Sequence, residues 1–291
     1  MNPALALTFN ALIWGTSWWP LRELAQRGLH PLWATAVIYC VAVAVILALR
    51  PNALGQLWRA PALWVLMLAA GATNAAFNWA MVIGDVVRVV LLFYLMPLWT
   101  VLLARVLLNE PITGRAGLRV ALALLGAAVV LWPAGSGWAG VPWPRTLADW
   151  LGVMGGAAFA LNNVMLRRES ARPPQSLALA MFLGGALVSA GLAALLASGA
   201  VVPWPPLPQW GWSGLVLTLA ALFLAGNLAL QYGAARLPAN VTAVVMLTEV
   251  VFAAVSALAL GGGELNAQLL LGGALILLAA LLSTLSSPAP H

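Results

Sequence analysis

Residues 62–83 read ALWVLMLAAGATNAAFNWAMVI, a run of 22 positions without a charged side chain. A helix needs about 20 consecutive apolar residues to cross the hydrocarbon core of a bilayer, so this run predicts a transmembrane helix. The run also carries two amides, Asn74 and Asn78, four positions apart. Residues i and i+4 share one face of a helix, and polar side chains facing lipid are costly. We therefore expect both amides to point into a helix bundle.

The rest of the chain has the same character. It holds 291 residues, of which 63% are apolar and 7% charged, whereas soluble domains carry about 25% charged residues. Apolar runs of similar length recur, and clusters of Pro, Gly and charged residues separate them. The predicted fold class is an all-α polytopic membrane protein with ten transmembrane helices. The predicted spans are about 4–21, 32–49, 62–83, 87–108, 114–132, 148–166, 176–198, 211–234, 239–260 and 267–286.

The second half of the chain repeats features of the first. The segment YLMPLWTVLLARVLLNE (94–110) aligns with MLTEVVFAAVSALALGGGE (246–264), and LIWGTSWWPLR (12–22) aligns with AFALNNVMLRR (158–168). Five spans per half is an odd number, so the second half enters the membrane with the opposite orientation. Inverted repeats of this kind occur in secondary carriers, whose substrate sites lie near the bilayer midplane.

The boundary between the halves is predicted in the loop that follows the fifth span. The first five-helix repeat then covers residues 1–145 and the second covers residues 146–291, within one integral membrane domain around a central cavity. Arg residues are enriched in the loops that would be cytoplasmic if the N-terminus is inside. By the positive-inside rule, both termini are expected in the cytoplasm.

The repeat gives the amides a second meaning. The register that aligns the halves places Asn74 and Asn78 on Asn227 and Gln231, a pair with the same spacing. One explanation is hydrogen bonding between packed helices. The other is that both pairs line a cavity and bind a polar substrate, because symmetry-related helices of carriers meet at the midplane. The sequence leaves both open.

Short motifs distributed along the chain resemble a known family. The first helix carries Trp14 and Gly15, the fourth carries Pro97, and Glu110 and Glu264 end the fourth and ninth. In their order and spacing these features resemble the drug/metabolite transporter (DMT) superfamily, EamA family. The Trp content looks most like the YddG-type aromatic amino acid exporters of the bacterial inner membrane. The resemblance covers nearly the whole chain.

The resemblance implies a bundle of two inverted five-helix repeats in the bacterial inner (plasma) membrane. It also implies export of aromatic or neutral amino acids and related metabolites by alternating access without ATP. An efflux carrier for drugs or other small metabolites, with or without proton coupling, is the alternative. The expected partners are an amino acid substrate and the lipid bilayer, and the protein is expected to be a monomer or a weak homo-oligomer.

Three further groups extend the candidate cavity. Helix six places Phe159, Asn162 and Asn163 on one face, and its counterpart in helix one carries Trp14 and Trp18. Rings beside amides suit a substrate with a flat ring and a polar end, although ordinary packing gives the same pattern. The candidate cavity residues are Trp14, Trp18, Asn74, Asn78, Met81, Tyr94, Phe159, Asn162, Asn163, Asn227, Gln231, Met246 and Glu249.

Helices four and nine carry the most pointed residues. Pro97 is expected to kink helix four, one turn after Tyr94, and could act as a gate hinge. Glu249 occupies the equivalent position in helix nine, where members of this family often carry Pro. An ionisable side chain inside a membrane is expensive and needs a partner. Three roles remain open for it: a salt bridge to an Arg, direct binding of a substrate ammonium group, or proton coupling. The Arg residues considered are Arg22, Arg88 and Arg105.

Other classes of protein find no support. The predicted spans contain no His and no paired acids, so an intramembrane enzyme has no candidate catalytic group. The chain has one cysteine, Cys40, and no glycine-rich phosphate loop, so neither a metal, a nucleotide nor any other cofactor is predicted. The net charge of +6 comes from Arg at the ends of apolar runs, and nucleic acid is not an expected partner.

Overall fold

The computed structural model describes residues 2–107, 109, 114–132, 143–207, 210–234, 236, 245–246 and 248–285. No β-strand occurs within these ranges. The helices are α1 (Pro3–Thr16), α2 (Trp18–Gln26), α3 (Pro31–Leu49), α4 (Asn52–Trp58), α5 (Pro61–Ile83), α6 (Val86–Phe93), α7 (Met96–Leu107), α8 (Gly114–Leu131), α9 (Leu147–Arg168), α10 (Pro174–Ser198), α11 (Trp210–Ala234), α12 (Thr248–Leu260) and α13 (Ala267–Leu285).

Local sequence explains where several helices begin. Helices α3, α5 and α10 each start with a proline. Proline lacks a backbone N–H, and this costs nothing in the first turn because the N–H groups there have no partner within the helix. Asp85 caps α6 by accepting a hydrogen bond from the backbone N–H of Arg88 at 2.8 Å. Thr146 and Asp149 form a reciprocal capping box at the start of α9. These signals separate apolar runs that would otherwise be hard to divide.

Two predicted spans are interrupted, which corrects the expectation of single helices. The first, predicted at 4–21, consists of α1 and α2 with a break at Ser17, and it continues to Gln26. The fourth consists of α6 and α7 with a break at Tyr94–Leu95. The short helix α4 was not predicted at all. Residues 239–244 of the predicted ninth span lie outside the described residues.

Among the described residues, five helical segments are long and apolar enough to cross a membrane by length and composition. They are α3, α5, the combined segment Val86–Leu107, α10 and most of α11. Shorter apolar helices lie within α8, α12 and α13. The chain therefore has the architecture of an all-α polytopic membrane protein.

Helix packing follows the two halves. Spans one to five are α1–α2, α3, α5, α6–α7 and α8, and spans six to ten are α9 to α13. Helix α5 packs against α9 and α10, and its counterpart α11 packs against α1 and α3. In the same way α6–α7 pack against α9, as α12 packs against α1. Exchanging the two halves maps these contacts onto one another, which is the packing expected of two repeats around a central axis.

Residues near this axis face their own counterparts. A Cβ on Gly126 of α8 would lie 2.7 Å from the carbonyl oxygen of Gly272 in α13, and a Cβ on Gly272 would lie equally close to that of Gly126. Between α3 and α10, the ring of Tyr39 fills the space beside Gly185. Gly126 and Gly272 are separated by the same offset as Tyr39 and Gly185, and as the aligned first and sixth spans. Residues related by the repeat thus pack directly against each other.

A polar network lies at one end of the bundle, which we call the Arg22 end. The guanidinium of Arg22 donates to the carbonyl oxygens of Val82 at 3.1 Å and of Gly84. Arg88 makes a bidentate salt bridge with Asp149, at 2.7 and 3.1 Å. These contacts join the ends of α2, α5, α6 and α9. Asp85 is thus a helix cap, and the ionic partner of Arg88 is Asp149.

Candidate functional site

A cavity of about 350 Å³ lies near the middle of the bundle. Helices α1, α3, α5, α6, α7, α9, α10, α11 and α12 all contribute to its wall. Its lining residues are Asn10, Trp14, Tyr39, Ala70, Thr73, Asn74, Phe77, Phe93, Tyr94, Met96, Phe159, Asn162, Asn163, Met181, Phe182, Phe223, Asn227, Leu230, Met246 and Glu249. This volume lies in the range of pockets that enclose small molecules.

Aromatic rings form one group on each side of the cavity. Trp14 of α1 stacks on Phe223 of α11, with ring centroids 4.8 Å apart and planes 12° apart. On the other side, Phe93 of α6 packs against Phe77 of α5 at 4.7 Å and Phe159 of α9 at 5.2 Å. Because α1 and α11 correspond to α9 and α5 in the repeat, both halves present rings to the same space.

The Trp14–Gly15 pair explains how α12 reaches the cavity. A Cβ on Gly15 would lie 2.7 Å from the carbonyl oxygen of Glu249 and 2.8 Å from the Cβ of Phe252. Only a glycine allows α1 and α12 to come this close. The close approach brings the first turn of α12, with Glu249, to the wall that carries Trp14.

Glu249 is 9% exposed and has few partners. The Tyr94 hydroxyl donates to its Oε2 at 3.3 Å and also approaches the Met246 carbonyl oxygen at 3.5 Å. Met246 in turn accepts at Sδ from the Asn10 side chain at 3.6 Å. Asn10, Tyr94, Met246 and Glu249 thus form one connected group, which we call the Glu249 group.

Within the described residues, Glu249 takes part in no salt bridge. At the Arg22 end, Arg22 is bound to backbone carbonyls and Arg88 is bound to Asp149. Arg105 is exposed in the last turn of α7. The interpretation of Glu249 as a structural ion pair is therefore wrong for Arg22 and Arg88. The two other roles considered for Glu249 stay predictions.

The amides that line the cavity differ in how far they are satisfied. Asn74 donates to the Ala70 carbonyl oxygen at 2.8 Å and accepts from the Tyr39 hydroxyl. Asn227 accepts from Gln231 at 2.7 Å. In contrast, the buried Oδ1 atoms of Asn10 and Asn162 have no hydrogen-bond partner among the described residues, as is also true of Asn78 outside the cavity wall. Because Asn10 and Asn162 line the cavity, their Oδ1 atoms are placed to accept from a molecule bound there.

Four predicted cavity residues lie outside the lining. Trp18 is 1% exposed and donates from Nε1 to the Ser256 hydroxyl at 2.8 Å. Asn78 is fully buried and donates to the Thr35 hydroxyl at 3.0 Å. Met81 is buried and packs in the main apolar core, and Gln231 bonds back to Asn227. Trp18 and Asn78 are enclosed by neighbouring helices, which supply each of them with a hydrogen-bond partner.

Three of the four displaced residues, Trp18, Asn78 and Met81, lie on one side of the cavity. Trp18 is one helical turn beyond Trp14, and Asn78 is one turn beyond Asn74, in both cases toward the Arg22 end. Met81 lies further in the same direction. The amide pair in α5 is thus divided: Asn74 accepts from Tyr39 of α3 and lies on the cavity wall, whereas Asn78 donates to Thr35 of α3 and is enclosed. Asn78 is an example of a contact between packed helices, and substrate binding by Asn74 stays a prediction.

Several lining residues were missed by sequence reasoning. Asn10 could have been found, because it lies one turn before Trp14 on the same face and is an amide in an apolar helix. Thr73, next to Asn74, carried a weaker signal. Tyr39, Phe182 and the other apolar lining residues gave none, because rings and Met in apolar spans do not distinguish a cavity wall from a packed core.

Pro97 lies in the first turn of α7, immediately after the break at Tyr94–Leu95. The chain is therefore interrupted before the proline instead of being kinked within a continuous helix. The break brings Phe93, Tyr94 and Met96 to the cavity wall. A hinge role for Pro97 stays a prediction. No cluster of His, Cys, Asp or Glu suited to a metal ion occurs in the described part of the chain.

Comparison with known proteins gives the family. A model of the EamA-like transporter family matches residues 2–132 and 146–285. The chain belongs to the EamA-like transporter family. It is therefore a multi-pass membrane transporter of small molecules with two repeats.

No curated protein matches the chain. One similar solved structure, described only as "Crystal structure of protein", shares 18% identity with a TM-score of 0.55. That alignment covers 97% of this chain and 96% of the other. At this identity the likeness supports the fold alone.

Proposed function

We propose that this EamA-like transporter exports neutral, preferably aromatic, amino acids across the bacterial inner membrane, as the resemblance to YddG-type exporters implies. The observation that carries the proposal is the composition of the cavity wall. Aromatic rings from both halves surround a space of about 350 Å³ that also presents amides and one acid. Flat rings favour stacking with a substrate ring, and amides hydrogen-bond to its polar end.

The proposed mechanism is alternating access around this cavity, with both termini in the cytoplasm. The packing of Trp18 and Asn78, together with the Arg22 network, closes one end of the bundle. Transport requires this layer to separate while the opposite end closes. The break at Tyr94–Leu95 and the proline that follows it offer a place where the wall can bend. One chain supplies the whole cavity, so a monomer suffices.

The test is uptake of radiolabelled phenylalanine, tryptophan, threonine and an organic cation into liposomes that hold the purified protein. We expect the two aromatic amino acids to be taken up faster than threonine. Trp14→Ala should reduce their flux by at least about tenfold, since it removes the stacking partner of the ring. Trp19→Ala is the matched control, because Trp19 is 49% exposed and does not line the cavity.

Two outcomes would reject the proposal. Flux of the organic cation without flux of any amino acid would place the chain among efflux carriers for drugs or other metabolites. If Trp14→Ala and Trp19→Ala lost flux equally, the cavity wall would not be the site that recognises the substrate. Empty liposomes and a folding check on each variant accompany every measurement.

A further inference from the structure

The charge of the cavity wall is one-sided. Glu249 is the acid on the wall, and no Arg, Lys or His occurs among the described lining residues. Within the described chain Glu249 has no cationic partner, and its one side-chain hydrogen bond is the 3.3 Å contact from Tyr94. A buried carboxylate is costly unless it is paired or hydrogen-bonded. The wall therefore carries an acid without a positive partner, and a ligand can supply that positive charge.

The hydrogen-bonding groups are one-sided as well. Asn10 belongs to the Glu249 group, and its Oδ1 is buried without a partner among the described residues. Asn162 of α9 also lines the cavity, and its Oδ1 likewise has no partner in the described part of the chain. A primary ammonium has three N–H donors and no acceptor, so it can satisfy a carboxylate and an amide oxygen together. The Glu249 group offers both kinds of acceptor close to the stacked rings of Trp14 and Phe223.

A substrate carboxylate has no comparable site. The described wall offers it neutral donors only, namely amide N–H groups, the Trp14 indole N–H and the hydroxyls of Tyr39, Thr73 and Tyr94. It would also add a second negative charge to a cavity that already holds Glu249. An aromatic amine without a carboxylate brings a single positive charge and leaves the cavity neutral when Glu249 is ionised. A zwitterionic amino acid leaves one negative charge uncompensated. Electrostatics therefore favour the amine over the amino acid with the same ring.

We propose that the group recognised in this cavity is a primary ammonium, bound by the Glu249 carboxylate and the Asn10 amide oxygen, with the ring lodged against Trp14. Recognition requires the ammonium and dispenses with the carboxylate, so aromatic monoamines and amino acid amides are ligands as good as or better than the parent amino acids. This rests on the proposed function, because it concerns the same cavity, and it names the part of the substrate that is recognised.

The test compares four ligands that share one ring: phenylalanine, phenylalanine amide, phenethylamine and hydrocinnamate. Binding of each to the purified full-length protein is measured by calorimetry. We expect the amide and phenethylamine to bind at least as tightly as phenylalanine. Hydrocinnamate, which keeps the carboxylate and lacks the ammonium, should bind at least about tenfold more weakly.

Glu249→Gln tests the residue. It keeps the size of the side chain and an acceptor for Tyr94, and it should weaken phenethylamine binding at least about tenfold because the buried ammonium loses its counter-charge. Glu264→Gln is the matched control: it makes the same change on an exposed acid in the loop before α13 and should leave affinity within about twofold. If Glu249→Gln fails to fold, the four ligands on the unmodified protein still decide the proposal.

The outcomes separate the two proposals. Hydrocinnamate binding as tightly as phenethylamine, or an unchanged affinity in Glu249→Gln, overturns the ammonium proposal, while phenylalanine uptake into liposomes would still support the exporter. Phenethylamine binding with no uptake of any amino acid rejects the exporter and keeps the ammonium site. Absence of binding by all four ligands to folded protein contradicts both.

Discussion

Two neighbouring layers of the bundle use the same residue types for opposite purposes. In the cavity layer, Trp14 and Asn74 face open space. In the packed layer, one helical turn toward the Arg22 end, Trp18 donates to Ser256 and Asn78 donates to Thr35. The sequence offers a Trp and an Asn at each level. Partners from other helices contact the side chains at both levels, since Trp14 stacks on Phe223 and Asn74 accepts from Tyr39. What differs is that Trp14 and Asn74 also border the cavity, whereas Trp18 and Asn78 are fully enclosed.

The comparison teaches that a polar or aromatic side chain inside a membrane bundle has no fixed role. In the packed layer it contributes a contact between helices, so its loss should lower stability. In the cavity layer it makes contacts of this kind and also borders the cavity, so its loss should lower substrate flux as well. Paired substitutions at the two levels can therefore separate structure from function within one helix.

The largest expected effect is on the buried Trp of the packed layer. Trp18→Ala removes a ring that is 1% exposed and its hydrogen bond to Ser256. Replacing a buried aromatic by Ala costs about 3–5 kcal/mol, so the thermal midpoint should fall markedly. Trp14→Ala should lower the midpoint less and the flux more. A midpoint that falls further for Trp14→Ala would reverse the assignment of the two layers.

A second expected effect is a loss of stability at the Arg22 end. Arg88→Gln removes the bidentate partner of Asp149, whose side chain is 2% exposed. Hydrogen bonds between charged groups contribute about 1.5–3 kcal/mol, so we expect a loss near that size. Thermal unfolding of the purified protein measures it. Arg105→Gln, on an exposed residue of α7, is the control and should change the midpoint little. An unchanged midpoint for Arg88→Gln would show that the salt bridge does not hold this end together.

A third effect concerns the close approach of α1 and α12. Gly15→Ala places a Cβ within 3 Å of the Glu249 carbonyl oxygen and the Phe252 Cβ. The helices must separate to admit it, and overpacking of this kind costs about 1–3 kcal/mol. Because α12 carries Glu249, ligand binding should weaken along with stability. Gly191→Ala, with open space around the added Cβ, is the control. Equal behaviour of the two variants would contradict the role given to Gly15.

The smallest expected effect separates the two amides of α5. Asn78→Ala removes an interhelical hydrogen bond worth about 0.6–2 kcal/mol in membrane helices. It should lower the thermal midpoint slightly and leave the transport rate per folded protein unchanged. Asn74→Ala also removes a hydrogen bond to α3, from Tyr39, and should in addition reduce the rate, because Asn74 lies on the cavity wall. If Asn78→Ala abolished transport by folded protein, the packed layer would have to open onto the substrate path.

The predictability of the fold follows from the same distinction. The spans predicted at 32–49, 62–83 and 176–198 agree with α3, α5 and α10 within two residues, since about 20 apolar residues bounded by Pro or Arg leave little freedom. The break at Ser17 was not predicted, although Pro20 follows it within one turn. For the fourth span a kink at Pro97 was expected, and the chain is instead interrupted at Tyr94–Leu95, just before that proline. The proline near the second break occupies a first turn, where proline is tolerated.

Residue type predicted many of the side chains that line the cavity. Their position along the helix axis was harder to predict. Asn227, Asn162 and Glu249 stood out because polar side chains are rare in apolar spans, and each lies on the cavity wall. The positions of Trp18 and Asn78 were not predictable, because they depend on Ser256 and Thr35, which approach from distant parts of the chain. Periodicity identifies the face of a helix but does not report how far along that face the open space extends.

The contact between Tyr39 and Gly185 shows what joining the two halves in one chain allows. In a symmetric dimer of identical five-helix subunits, an isologous contact would place the same residue at both positions. Two tyrosines would collide there, and two glycines would leave a hole beside the cavity. A fused chain can set a large residue against a small one across its own axis. The same freedom lets it place a single carboxylate, Glu249, on one side of the binding space, so that an asymmetric ligand has a single preferred orientation.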